Sequence, residues 1–430
     1  MPSLTSLAEA ILVQARKIDG YLETNHIAYP SFDGEDTLSQ LPFELQAECC
    51  ALANSASELK QLVRGPETGI MDIAFSWTDA VGLRVVYHYN LAKAVPLEGS
   101  ASYSQIAATS GLKESLCRRF LRLVMGNHIF AEDPVTCRVQ HTASSRRLAT
   151  QAGLRDAVGL QLDEIAPSAS KLIESWKKHG QDTGEPSHSA FSLYNQSHDP
   201  AFAILAREPE RARRFGDAMK YSTRGISWDP RHLLSAFGWS SIDQPGTQLI
   251  DIGGGHGAIS TLLAQHTKNI QFVVQDLPHV VSQAALTDLS PAVRDRVKFS
   301  GHDFFTPQER CNPNSQTFGS SAVIFLLRFI LHNWGDDNAI KILRNLVPAM
   351  NDHSKLLIYE FVLGDHPVAD LTARFGFQLD AIMATFFNAQ ERTATEFKKL
   401  LEQADHRYIV LGVRRPNDSI MSVIEVGWRG

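Results

Sequence analysis

Leu249-Ile250-Asp251-Ile252-Gly253-Gly254-Gly255-His256-Gly257 is the stretch on which the fold turns. A short apolar strand runs directly into glycines at 253, 255 and 257, and a helix-compatible segment, Ala258 to His266, follows. Glycine at a strand-to-helix turn lets main chain approach a ligand closely, because a Cβ there would clash. A second apolar strand, Phe272-Val273-Val274-Gln275, closes on Asp276. That acid lies 25 residues after Asp251 and 19 after Gly257, where a βαβ unit sets a carboxylate against ribose hydroxyls. The dinucleotide fingerprint is G-x-G-x-x-G. Here the third glycine comes one residue early, so the turn is not spaced as a pyrophosphate cradle.

Outward from this turn, strands and helices alternate. Strands are predicted at 248–252, 271–275, 296–300, 321–327 and 355–361, then at 408–413 and 419–426 around the turn Arg415-Pro416-Asn417-Asp418. The pattern predicts an α/β fold: a doubly wound, mostly parallel, seven-stranded sheet with a closing antiparallel hairpin. Ligands in such sheets bind at the carboxyl ends of the strands. Upstream, residues 1–65 read as a helical segment, with Leu4, Leu7, Ile11 and Leu12 on one face and a break at Pro30 and Gly34. Within 66–155, Ile106-Ala107-Ala108, Gly111 and a helix from Lys113 to Met125 predict a helix-turn-helix, with a wing from Ile129-Phe130 to Val139-Gln140. Its second helix carries Arg118, Arg119 and Arg122, but Leu116, Phe120, Leu121 and Val124 give it an apolar surface suited to packing or dimerisation. Residues 156–240 read as a helical bridge, and 241–430 as the sheet domain.

The 430 residues, 43% hydrophobic and 20% charged, describe a soluble chain of two or three domains. A formal net charge of −6 argues against a nucleic-acid surface, and no apolar run reaches the ~20 residues that cross a bilayer. Cys49, Cys50, Cys117, Cys137 and Cys311 are scattered without a metal-type pair; free thiols in a cytoplasmic protein with no bound metal are expected.

From about Ala101 onward the chain resembles the plant caffeic-acid-type and fungal secondary-metabolite O-methyltransferases that use S-adenosylmethionine. The matching pieces are IAATSGLKESLCRRFLRLVMGNHIF, HTASSRRLA, LIDIGGGHG, QDLPHVV, GHDFF, LLRFILHNWGDD, LLIYEFVL and QERTATEFKKLLEQA. The resemblance implies a homodimer formed through the N-terminal helices and winged helix. It implies that Gly253, Gly255 and Gly257, behind Asp251, wrap the methionine part of S-adenosylmethionine. Asp276 and Leu277 would meet the ribose, Asp303 and Phe304 the adenine, and Arg328 would lie near the cofactor. His332 falls at the general base, with Glu360 and Glu391 at the acid positions that flank and orient it. Asn333 departs from the family, which has Asp there, and Gly335-Asp336 also differs.

Methyl transfer from a sulfonium is an in-line substitution, so the protein must align the nucleophile and remove its proton. A phenol of pKa about 10 is a poor nucleophile at neutral pH, and a histidine of pKa about 6.5 can take the proton as transfer proceeds. Glu360 ends a strand and Glu391 is expected to open a helix, Glu391-Arg392-Thr393. Phe191, Tyr194 and Met219 on the bridge, with Asp380 and Met383 on a later helix, are candidates for a flat apolar substrate. Two functions follow from the resemblance. One is O-methyl transfer to a small aromatic or polyketide-type metabolite. The other is a pericyclase or cyclase that binds S-adenosylmethionine without transferring its methyl group, and an intact His–Glu–Glu set favours the first.

Overall fold

The computed structural model describes all residues except 1–2, 35–36, 39–40, 285–288, 310–321, 368–370 and 418. Cys311, the first residue of the strand expected at 321, and Asp418 of the predicted turn lie outside the described residues. The chain divides into two compact units, Met1–Pro167 with Leu205–Ser222, and Ser168–Ile204 with Thr223–Gly430. The stretch 156–240 therefore contributes to both.

In the first unit, helices Leu4–Thr24 and Phe43–Arg64 pack through Ile18, Leu22 and Leu45. The helix-turn-helix forms as Tyr103–Ser110 and Glu114–Met125. Ser102 and Gln105 make a reciprocal capping box at the first, and Gly111, at φ +72°, ends it in the left-handed conformation that glycine takes without strain. The wing is a small antiparallel sheet of β1 (Ser100–Ala101), β2 (Ala131–Glu132) and β3 (Val139–Gln140), with β3 in the middle. Ile106, Cys117, Leu121, Val124 and Phe130 close its core. Helix Pro209–Ser222 is tied to this unit by buried ion pairs from Arg211 and Arg214 to Glu164.

The sheet of the second unit contains β4 (Gln248–Ile252), β5 (Gln271–Asp276), β6 (Val297–Gly301), β7 (Val323–Arg328) and β8 (Lys355–Glu360). A two-residue ribbon pairs β9 (Val362–Leu363) with β10 (Arg392–Thr393), and β11 (Tyr408–Arg414) and β12 (Ser422–Trp428) complete the sheet. Its order is β11-β12-β8-β7-β4-β5-β6; the five strands from β8 to β6 are parallel and the final hairpin is antiparallel. β12 begins at Ser422 rather than at the expected 419, because Ser419 closes a turn onto Pro416 and Ile420 bonds to Ser227. Both faces are covered, which is why β7 reads as the unbroken apolar run VIFLL. Ile250, Phe325, Leu327, Leu356 and Ile358 enter one core; Leu249, Phe272, Val274, Leu326 and Tyr359 enter the other. Strand order reverses at β4, with β5 on one side and β7 on the other, so the crevice beyond its carboxyl end is the fold's ligand position. Among the described residues, no helix is long and apolar enough to cross a membrane.

Candidate active site

The glycine turn leaves β4 with Gly253, Gly255 and Gly257 at φ +66°, +55° and +72°. At two positions a Cβ would crowd its neighbours. A Cβ on Gly253 would lie 2.5 Å from Ile330 Cδ1, and one on Gly254 2.6 Å from the carboxyl carbon of Asp251. At Gly255 the space a Cβ would take is open, leaving bare main chain for a ligand. Asp276, at the end of β5, accepts the Gly255 N–H at 2.9 Å through Oδ2 and the Leu277 N–H at 2.8 Å through Oδ1. Asp251 accepts the Ser260 hydroxyl at 2.7 Å, and burial pushes its carboxyl up to about 6. Asp303 follows β6 and accepts the Phe305 N–H at 2.9 Å, while Phe304 packs edge-on to Trp334. Trp334 thus acts as packing, stacked edge-to-face with Phe305 as well. Arg328 ends β7 with its guanidinium 4.5 Å from the Phe329 ring centroid; burial lowers its pKa, opposed by the charges of Tyr359 and Asp251.

This donor set fits S-adenosylmethionine. Asp276 at the end of β5 suits ribose hydroxyls, the bare main chain at Gly255 admits a ligand closely, and the buried Asp251 braces the following helix through Ser260.

Beyond β7 the chain makes one 3-10 turn, Leu331–Asn333, that carries His332. Phe329 just before it is at φ +55°, a conformation costly for a bulky side chain and held only by its surroundings. Two anchors hold it. Glu360, wholly buried at the end of β8, accepts the N–H groups of Ile330 at 2.9 Å and Leu331 at 2.6 Å. Asn333 donates its side-chain amide to the Phe329 carbonyl at 2.9 Å. An ionised aspartate there has no proton to give, so this departure from the family pattern has a local use. Glu360 therefore flanks the histidine through the backbone and not through its ring. Burial raises the Glu360 pKa.

The ring itself is taken by Glu391, whose Oε1 lies 2.9 Å from His332 Nδ1. A carboxylate there fixes the proton on Nδ1 and leaves Nε2 basic. Burial works against a charged ring, but the hydrogen bond and charge of Glu391, then the charge of Glu360, outweigh it and hold the His332 pKa above its ordinary value. Glu391 does not open a helix, as the sequence led us to expect. It precedes β10, and the helix Ala394–Ala404 starts three residues later, capped by Thr393 and Glu396. The T-x-x-E signature at 393–396 was the available signal.

Four of the candidate substrate residues lie on two helices of the second unit, Ala190–Tyr194 and Leu371–Phe386, that pack together. Phe191 is buried against Phe386 with ring centroids 4.2 Å apart, Met383 is buried, and Tyr194 is partly exposed. Asp380 accepts the Glu391 N–H at 2.9 Å, and burial raises its pKa. It lines a cavity of about 340 Å³ with Trp176, Gln181, Asp182 and Asn388. Met219 belongs to the first unit, on helix Pro209–Ser222.

The same cavity meets a strap, residues 181–185. Asn388 donates to Thr183 Oγ1 at 2.9 Å and to the Glu185 carbonyl at 3.0 Å. Gly184 presses so closely on Gly335 that a Cβ on Gly335 would lie 2.3 Å from its Cα. The second departure from the family, glycine at 335, is explained by this contact. Gly335→Ala must displace backbone and should cost ~1–3 kcal/mol, read as a fall in melting temperature.

The family matches at this point. Residues 176–407 match the O-methyltransferase domain family. The chain belongs to the O-methyltransferase family, the S-adenosylmethionine-dependent class that the sequence resembles. It is 33% identical to a chlorophenol O-methyltransferase of Trichoderma longibrachiatum over 98% of this chain and 89% of that one. Among solved structures it is similar to LepI in complex with SAM (TM-score 0.73, 19% identity, 98% of this chain and 100% of that one). It is likewise similar to a structure described as a pericyclic reaction enzyme (TM-score 0.71, 18% identity, 98% and 100%). At those identities the two structures speak to the fold alone.

Proposed function

We propose that this protein transfers the methyl group of S-adenosylmethionine to a hydroxyl of a small aromatic or polyketide-type metabolite, with His332 as the general base. The observation that carries the reading is the contact at 2.9 Å between Nδ1 of the partly buried His332, on the turn that leaves β7, and the buried Glu391. When bound, S-adenosylmethionine supplies a methyl group on a sulfonium, already activated for displacement. Gly253, Gly255 and Gly257 offer main chain to its amino-acid part, Asp276 and Leu277 face the ribose, and Asp303 with Phe304 the adenine. Nε2 of His332 takes the phenolic proton, and Glu391 steadies the imidazolium that forms. Phe191, Tyr194, Asp380 and Met383, all in the second unit, are proposed to shape the acceptor site. The chlorophenol specificity in the name of the fungal relative supports a phenolic acceptor.

The second reading, a pericyclase that keeps its methyl group, shares the fold. Incubation with labelled S-adenosylmethionine and a panel of phenols separates the two, since only transfer releases S-adenosylhomocysteine. Titration calorimetry tests the cofactor site. The wild type should bind S-adenosylmethionine, and Gly255→Ala should bind it about tenfold (~1.4 kcal/mol) more weakly, because its Cβ would enter the open space left for the ligand beside the main chain. A wild type without affinity would remove the basis of both readings.

The same proposal includes a homodimer and a cytoplasmic location. Ile70, Ile73, Phe75 and Trp77 are large apolar side chains exposed on the N-terminal unit, which supports the homodimer. Sedimentation of the full chain should give twice the monomer mass.

A further inference from the structure

Arg392, within the stretch QERTATEFKKLLEQA, is the largest fully buried side chain among the described residues. Its guanidinium donates to the Leu331 carbonyl at 2.9 Å and to the Trp334 carbonyl at 2.8 Å. Two more bonds, at 3.0 and 2.7 Å, reach Asp336 Oδ1. These acceptors bracket His332 on both sides. A single 3-10 turn is too short to satisfy its own carbonyls, so an outside donor sets its shape.

The register makes the arrangement compact. In the β9–β10 ribbon, Arg392 pairs with Val362, two residues beyond Glu360, and Glu391 directly precedes it. The ribbon, which starts two residues after Glu360 on one strand and one residue after Glu391 on the other, therefore brings the three holders of the turn together. Glu360 grips its N–H groups, Arg392 its carbonyls, and Glu391 the ring it carries. We propose that Arg392, braced by Asp336, is a positioning residue that holds the Leu331–Trp334 turn so that the His332 ring meets Glu391. A lysine has the charge but not the planar fork that spans several acceptors at once.

This inference rests on His332 being the functional histidine, but its test does not rest on turnover. The His332 titration midpoint is followed by ring-carbon NMR in the full chain, with His332→Asn used to assign the signal. Arg392→Lys keeps the charge and loses the fork, so the ring should slip from Glu391 and the midpoint should fall toward that of free histidine. Asp336→Asn should lower it too; the Asp336 side chain is 57% exposed, so this variant is expected to fold. Asp337→Asn removes an equal charge one residue away, and should shift the midpoint less. With a turned-over phenol, Arg392→Lys should lose roughly 10–100-fold in kcat at unchanged KM, as expected of misplacement. A folded Arg392→Lys with the wild-type midpoint, or Asp336→Asn shifting no further than Asp337→Asn, overturns the proposal. If Arg392→Lys does not fold, the comparison of the two aspartates decides. Should no phenol be methylated, the reading under Proposed function fails while the midpoints still judge the clamp.

Discussion

His332→Ala is expected to lower the rate of methyl transfer by ~10²–10⁴-fold, the usual contribution of a positioned general base. Affinity for S-adenosylmethionine should stay at the wild-type level. Apart from Arg328 at the end of β7, the residues offered to the cofactor leave β4, β5 and β6, whereas His332 sits on the turn after β7. The measurement is release of S-adenosylhomocysteine under saturating cofactor, paired with calorimetry. The alanine variant leaves Glu391 buried without its partner, so some stability should be lost. His332→Gln retains a polar partner and separates that loss from chemistry. Both variants should be slow, and both should bind cofactor. Wild-type turnover in a folded His332→Gln would make the histidine structural and turn attention to the pericyclase reading.

Much of this site was legible because it is local. The glycine turn, Asp251 and Asp276 are fixed by a strand, a tight turn and the next strand, all within one βαβ unit. The central strands β4, β7 and β8 show as apolar runs because the sheet is covered on both faces there, whereas the edge strands β6 and β11 are partly exposed. The partners of His332 were legible only through the motifs they belong to. Glu391 lies 59 residues away, and nothing in its own neighbourhood marks it as a histidine partner. Its setting was misread as a helix start because an acid beside Arg-Thr resembles a first turn, although the true cap, Thr393 with Glu396, stands two residues on. What sequence reading could not supply was contact. The pressing of Gly184 on Gly335 joins segments about 150 residues apart, and the burial of Arg392 goes against the common exposure of arginine. Asn333 is the instructive case. The sequence marked it only as a departure from the family, whereas in the fold its amide closes the strained turn at Phe329.

Glu391→Gln carries the other large effect, and its sign is set by the site's electrostatics. A carboxylate can only accept from Nδ1–H, which keeps Nε2 basic. An amide can instead present its own N–H to Nδ1, trapping the ring with the proton on the wrong nitrogen. In the serine-protease triad the equivalent acid-to-amide change costs ~10⁴-fold in kcat, and a loss up to that order is expected here. The pH profile should move as well. A base works only when deprotonated, so the wild-type rate falls as pH drops through the raised His332 pKa. Removing the charge of Glu391 removes the main influence holding that pKa up against burial. The acid limb of the kcat profile should therefore shift to lower pH, even as its plateau collapses. The substitution is nearly isosteric, and Oε1 keeps an acceptor of the same shape, so the fold should survive, as far-UV circular dichroism and thermal melting will check. A Glu391→Gln enzyme with its plateau intact and its acid limb unmoved would mean that the 2.9 Å contact orders the turn without serving the proton transfer.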